Sequence, residues 1–270
     1  MCELFGVSSS KPVRVNYSLH AFAEHGGLIH PNKSGWGIAY HEGRDALLIK
    51  EPKPASDSPV VRFIESRPVS TTCAIAHVRY ATAGAPSYAN THPFVRELGG
   101  QMHVFAHNGS LAEIRDKVRL RLDRFRPVGE TDSEYAFCVL LERLVPLWRD
   151  AAGPPAMEER LAVFADTVRE LAALGPANFL YSDGDVLFLH AHKRRWDEGD
   201  GRFSAPRAPG LSFARLDDLL VKGLQVEAPH AGTEIIFVAS VPLTEEGWQP
   251  LPEGTVAALQ GGRLAATVPA

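Results

Sequence analysis

The sequence predicts an α+β fold, and three observations carry that prediction. Strand-like apolar segments crowd both ends of the chain, two amphipathic helices occupy its middle, and no internal repeat or low-complexity stretch divides it. The chain has 270 residues, with 28 Lys and Arg against 32 Asp and Glu, a formal charge of −4, and it is 45% hydrophobic and 22% charged. This is an ordinary globular balance, which argues against a disordered chain, a collagen-like repeat or a small disulfide-stapled scaffold. A single domain over residues 1–270 is expected, since one core can serve about 250 residues. The Pro- and Gly-rich stretches 151–155 and 205–210 are of loop length.

Taken in order, residues 2–9 read as an apolar strand that begins at the chain terminus, and 17–23 follow with helical spacing. Residues 35–40 and 46–49 predict a hairpin turning near Glu42-Gly43, and 58–65 a helix. Residues 72–78 and 102–106 are strand-like again. The clearest helix is 131–148, where Phe137, Leu140, Leu141, Leu144, Val145 and Trp148 recur at three- and four-residue spacing on one stripe. Thr131 followed by Glu134 matches a capping box, each side chain expected to satisfy one unpaired backbone N–H. A second helix is expected at 157–174, ended by Gly175-Pro176. Residues 178–181 and 186–190 predict a hairpin around Ser182-Asp183-Gly184, and 234–241 and 255–259 add further strands.

Charge and cysteine usage narrow the function classes. No basic run exceeds Lys193-Arg194-Arg195, read as a solvated turn, so no nucleic-acid groove is implied. No segment approaches the about 18 apolar residues of a membrane span, and no targeting signal is recognisable at the N-terminus. Three cysteines, Cys2, Cys73 and Cys138, cannot build a disulfide framework or a zinc knuckle, and a reducing cytoplasm is expected. Cys73 and Cys138 fall on an apolar strand and on the long helix and read as small buried hydrophobes. His190 and His192 share a strand-end face, but no third residue at suitable spacing completes a metal site.

Cys2 is the residue that points to chemistry. Removal of Met1 is expected ahead of so small a residue and leaves a thiol and a free α-amine on Cys2. The amine, with a pKa near about 8, accepts the proton of a thiol near about 8.5 and later delivers it to a leaving amine. Elsewhere, His77-Val78-Arg79-Tyr80-Ala81-Thr82 leaves a strand with an Arg at its end, and His107-Asn108-Gly109 is read as the same strand-to-loop passage after the next strand. Gly129-Glu130-Thr131-Asp132 opens the long helix.

With these segments in view, the chain resembles the class II glutamine amidotransferases of the N-terminal nucleophile hydrolase group, and within them the stand-alone YafJ-type branch. The motifs occur in the family's order: the start at Cys2, the Arg79-x-Ala81-Thr82 loop, the His107-Asn108-Gly109 turn and the Glu130-Thr131-Asp132-Ser133-Glu134 helix start. Ser34-Gly35-Trp36-Gly37, Asn90-Thr91-His92-Pro93-Phe94 and Ser240-Val241-Pro242-Leu243-Thr244 with Trp248 also match, so the resemblance covers nearly the whole chain. Ser34 stands where YafJ-type proteins commonly carry an acidic residue. Ala83 stands where synthase-linked amidotransferases have a His, which favours the stand-alone branch.

The resemblance implies a four-layer αββα sandwich of two antiparallel sheets. It implies Cys2 as nucleophile, with the Asn108 side chain and the Gly109 N–H as oxyanion donors. Arg79 is implied to hold the glutamine α-carboxylate and Asp132 its α-ammonium, with Thr82, His92 and Trp36 lining the pocket. No metal and no cofactor are implied. The expected reaction is hydrolysis or transfer of the glutamine side-chain amide. Another γ-glutamyl compound is the alternative substrate, a separate ammonia-accepting synthase subunit the candidate partner, and a non-catalytic glutamine-binding subunit the rival reading.

Overall fold

A strand that is apolar on both faces must be covered on both faces, and that requirement sets the architecture here. The computed structural model describes residues 2–14, 22–28, 32–67, 69–81, 84–121, 123–149, 151–198, 202–215 and 231–268. Its elements run β1 (Glu3–Val13), β2 (Trp36–Glu42), β3 (Asp45–Glu51), α1 (Pro59–Ser66), β4 (Thr71–Val78), β5 (Phe94–Leu98), β6 (Gln101–Gly109) and α2 (Ile114–Lys117). They continue α3 (Asp132–Trp148), α4 (Met157–Ala172), β7 (Ala177–Ser182), β8 (Leu187–His190), β9 (Ser212–Arg215), β10 (Ile235–Ala239), β11 (Gln249–Pro250), β12 (Val256–Gln260) and β13 (Arg263–Val268).

The strands form a seven-stranded sheet, ordered β11-β9-β10-β1-β4-β2-β3, and a six-stranded sheet, ordered β13-β12-β8-β7-β6-β5. Every pairing within them is antiparallel. Side-chain alternation along each strand distributes the core into three apolar layers. Between the sheets lie Leu4, Ile75, Val104, Ala106, Leu180 and Val238. Phe5, Val7, Trp36, Ile38 and Phe237 face outward with Val61 and Ile64 of α1. Phe105, Phe179, Tyr181 and Phe188 face α3 and α4. Gly6 is at an inward-facing position of β1, where a Cβ would sit 3.0 Å from Leu180 and 3.3 Å from Leu187, so the missing side chain lets the sheets close. The result is the four-layer αββα sandwich that the resemblance implied.

Helix α3 begins at Asp132, one of the residues expected at the site. Phe137 is fully buried and stacks on Phe105 with centroids 5.2 Å apart, anchoring the helix on the six-stranded sheet. Each such phenyl contributes about 1.5–3 kcal/mol of burial. Half of the expected capping box forms: Thr131 Oγ1 accepts from the Glu134 N–H at 3.2 Å. The Glu134 carboxylate turns instead to the preceding loop. It accepts from the N–H groups of Val128 (3.0 Å) and Gly129 (2.6 Å) and from the Arg96 guanidinium (2.5 Å). The correction has a simple cause, since a buried carboxylate gains more from a guanidinium and two loop amides than from one capping amide.

The predicted strands and helices otherwise appear close to their expected positions, with Ser58 capping α1 through the N–H groups of Val60 and Val61. Of the helix expected at 17–23, residues 22 and 23 are helical, in a turn that runs to 24, and 17–21 lie outside the described residues. Strand β6 runs on through Gly109, so His107-Asn108-Gly109 is not a turn after a strand but the strand's end, paired with Ala177, Asn178 and Phe179. The edge strands β5, β11 and β13 carried no clear pattern in the sequence, because edge strands keep polar or short segments, and β9, between β11 and β10, is only four residues long.

Candidate active site

Cys2 directly precedes β1 and is half-buried. Its sulfur sits on the backbone of Tyr80: the Tyr80 N–H donates to Sγ at 3.1 Å, and the thiol donates to the Tyr80 carbonyl at 3.3 Å. This contact follows from sheet register, since Glu3 pairs with Val78 across β1 and β4, and Tyr80 lies just beyond that pair. Burial pushes the Cys2 thiol up, the Tyr80 hydrogen bond and the Arg79 guanidinium pull it down, and Asp132 pushes it up.

Asn108, on the neighbouring sheet, donates from Nδ2 to the Cys2 carbonyl at 2.5 Å. Its own carbonyl accepts from Asn178 Nδ2 at 3.1 Å, which fixes its backbone. Gly109 packs so tightly on β7 that a Cβ there would lie 1.8 Å from the Pro176 oxygen and 2.6 Å from His107 Nε2. No other residue lets the strand end come this close.

Arg79 is buried at the end of β4. Its Nη2 donates to the Gly84 carbonyl at 2.9 Å and its Nη1 to the Ser34 carbonyl at 3.4 Å. Ser34 Oγ in turn accepts from the Ala81 N–H at 3.1 Å, so this serine ties the loop after β4 by hydrogen bonds rather than by charge. Asp132 Oδ2 accepts from the Leu111 N–H at 2.7 Å and Oδ1 from the Ser133 N–H at 2.8 Å, joining the segment after β6 to the start of α3.

The structure thus brings Cys2, Arg79, Asn108, Gly109 and Asp132 to one end of the sandwich from four separate segments. Two other expected residues are placed differently. The His92 ring is enclosed between His77, at 4.2 Å between centroids, and Phe94, at 4.5 Å, with neither nitrogen hydrogen-bonded among the described residues, and burial holds it well below the usual imidazole range. Trp36 faces the outer core, where its indole N–H donates to Glu51 Oε2 at 3.2 Å beside the α1 cap Ser58. Thr82 lies outside the described residues.

Three surrounding residues escaped the sequence reading. Glu3 is buried next to Cys2, its carboxylate taken by His25 Nδ1 at 2.6 Å and Asn32 Nδ2 at 2.9 Å. A charged residue inside an apolar strand was the available signal. Asn178 gave none, and Arg194 is a correction: it is not a solvated turn residue but buried, donating to the Ser240 carbonyl. Ser240 carries the other half of that contact, exchanging hydrogen bonds with the Leu4 backbone at 2.9 and 3.0 Å.

Elsewhere, His190 bonds the Ala177 carbonyl at 2.6 Å and stacks near His192, and no cluster of three His, Cys, Asp or Glu residues suits a metal among the described residues. No helix among them is long and apolar enough to cross a membrane. A cavity of about 390 Å³ beside Arg215, Glu234 and Arg263 shares no residue with the Cys2 group.

The layered frame of two antiparallel sheets between helices defines the fold as that of the N-terminal nucleophile hydrolases. The same frame is found in glutamine phosphoribosylpyrophosphate amidotransferase from Bacillus subtilis, whose structure matches 96% of this chain and 47% of its own with a TM-score of 0.60 at 17% identity. The family model described as glutamine amidotransferases class-II matches residues 1–270, and the chain belongs to that family. It is 34% identical over 257 residues to the Escherichia coli protein named "Putative glutamine amidotransferase YafJ", covering 94% of this chain and 95% of that one. A Pseudomonas aeruginosa crystal structure titled as a "predicted glutamine amidotransferase" is 30% identical, with a TM-score of 0.65 over 98% of this chain and 100% of that one. Family membership makes the protein an enzyme of glutamine amide hydrolysis or transfer.

Proposed function

We propose that Cys2, freed of Met1, is the nucleophile of a glutamine amidohydrolase or amidotransferase. The observation that carries this reading is the placement of Cys2 Sγ on the Tyr80 backbone with the Asn108 amide against the same residue. The thiolate attacks the δ-carbonyl carbon of glutamine, forming the C–S bond, and the carbonyl electrons move onto oxygen. Asn108 Nδ2–H and the Gly109 N–H stabilise that oxyanion, each such donor being worth about 3–4 kcal/mol in the transition state. The C–N bond breaks, the amide nitrogen takes a proton from the Cys2 α-ammonium, and ammonia leaves. Water, deprotonated by the α-amine, then cleaves the γ-glutamyl thioester to glutamate and the free thiol.

Arg79 and Asp132 supply opposite charges for the two ends of the amino-acid backbone. A planar guanidinium suits a carboxylate by two parallel bonds, which Lys cannot reproduce. Ammonia passes to water or to a synthase carried on another chain. The three free thiols fit a reducing cytoplasm.

The test is ammonia release from glutamine by the purified enzyme and by Cys2→Ala. The variant is expected to be inactive with its fold intact, and full activity in it would overturn the mechanism.

A further inference from the structure

Asn90 joins two loops that lead to opposite charges of the site. It is 3% exposed, and its backbone is pinned in a tight turn. The Asn90 N–H donates to the Ser87 carbonyl at 3.2 Å, and Thr91 Oγ1 donates to the same carbonyl at 2.7 Å. The Thr91 carbonyl in turn accepts from Lys50 Nζ at 2.9 Å. From this fixed post the side-chain amide reaches both ways. Its Nδ2 donates to the Ala85 carbonyl at 3.0 Å and lies 3.5 Å from Glu130 Oε2, while its Oδ1 accepts from the Glu130 N–H at 2.8 Å. Making both bonds takes a donor and an acceptor on one short planar group, which an amide has and a carboxylate lacks.

The two loops press on that amide from either side. A Cβ on Gly84, whose φ is +71°, would lie 2.7 Å from Asn90 Nδ2, and a Cβ on Gly129 would overlap Asn90 Oδ1. Glycine at both positions lets the loop backbones close on the side chain. Gly84 is also the residue whose carbonyl takes Arg79 Nη2, at 2.9 Å. Glu130 stands two residues ahead of Asp132, with the helix cap Thr131 between them. A short path of hydrogen bonds and peptide units therefore runs from the guanidinium at the end of β4, through Asn90, to the carboxylate at the head of α3.

We propose that Asn90 is a positioning residue that sets the spacing between Arg79 and Asp132, and through it the enzyme's selection of substrates that carry an α-carboxylate and an α-ammonium on the same carbon. The proposal rests on the reading of Arg79 and Asp132 as the sites of those two groups. A ligand with both charges is gripped at two points, and its affinity depends on those points being held at the right separation beforehand. A ligand with one of the charges uses one point and does not sense the spacing. The contacts of Cys2 with Tyr80 and Asn108 do not include Asn90, so the link acts on substrate binding rather than on the thiol.

The test is steady-state ammonia release from glutamine in the wild type and Asn90→Ala, with inhibition by three compounds: glutamate, glutarate, which lacks the α-ammonium, and 4-aminobutanoate, which lacks the α-carboxylate. Asn90→Ala is expected to raise the glutamine KM and the glutamate inhibition constant about tenfold, with kcat within about threefold and the two one-ended inhibitors within about twofold of the wild type. Gly84→Ala is expected to act in the same direction, because its methyl displaces the same amide, and to cost less when added to Asn90→Ala than alone. Asn90→Asp, which keeps the acceptor for the Glu130 N–H and loses the donor for Ala85, makes the same comparison if the Ala variant does not fold. A glutamine KM within about twofold of the wild type would overturn the proposal, as would equal weakening of glutamate and the one-ended inhibitors, the result of a merely structural role. Arg79→Met and Asp132→Asn separate the two readings. If either leaves the glutamine KM unchanged, the reading of those residues fails and takes the proposal with it, whereas impaired Arg79 and Asp132 variants beside an unaffected Asn90→Ala overturn the proposal alone.

Discussion

Replacing Glu134 by Ala probes the link between the core and the site most sharply. The side chain is 2% exposed and accepts three hydrogen bonds, from the Val128 and Gly129 N–H groups and from Arg96. Truncation strands two backbone donors, each costing about 1–3 kcal/mol when left unmet. Arg96 is 24% exposed and regains water, so its share is smaller than in a fully buried pair. The expected loss is about 3–5 kcal/mol, a large part of the about 5–15 kcal/mol of a typical domain. Glu134→Gln keeps an acceptor for the loop amides and loses the charge-assisted bond, an expected cost of about 1.5–3 kcal/mol. Urea unfolding measures both, and glutamine KM should rise in both because the 128–131 loop leads into Asp132. A loss below about 1 kcal/mol for the Ala variant would refute the hydrogen-bond reasoning.

Other outcomes follow from the same geometry. Gly109→Ala would place a methyl 1.8 Å from the Pro176 oxygen, and steady-state assays should show kcat lower by at least about 100-fold as the strand end moves, with about 1–3 kcal/mol lost in stability. Asn108→Ala should lower kcat by about 100- to 1,000-fold with little change in KM, and a KM effect alone would assign Asn108 to ground-state binding. Burial drives His41, His103 and His190 down to about 4 and His77 to about 3, below the unfolded value near about 6.5. The unfolded chain therefore binds more protons in that window. Stability is full above about pH 6.5 and falls by about 1.4 kcal/mol per pH unit for each histidine as the pH drops toward 4. A urea midpoint that stays flat through that window would contradict this. Burial also pushes Cys73 to about 12 and Cys138 to about 11, so a thiol reagent should label Cys2 alone in the native protein and all three cysteines after unfolding.

Much of this was legible in the residues, and the failures have physical causes. The α3 stripe and the apolar run of β1 announce themselves, because a helix and a buried strand each impose a local period. Asn108-Gly109 reads locally as a turn, but the pairing of β6 with a strand that follows two helices keeps it extended, and no neighbour in sequence reports that. The Thr131 to Glu134 spacing signals a helix start correctly, yet the carboxylate's choice among Arg96, Val128 and Gly129 depends on how the loop folds back. Trp36 and His92 belong to matched motifs, and strand alternation and ring packing turn them into the core. Arg194 sits in a charged triplet whose outer members reach solvent or Glu253, so its burial is a tertiary fact.

The most direct measurement of the central claim is the intact mass of the purified enzyme before and after incubation with the glutamine analogue 6-diazo-5-oxo-norleucine, with the modified peptide mapped. The account predicts a chain without Met1 that gains one adduct, on Cys2, in parallel with loss of ammonia release. Met1 retained in a fully active enzyme, or inactivation with the adduct on a residue other than Cys2, would contradict it.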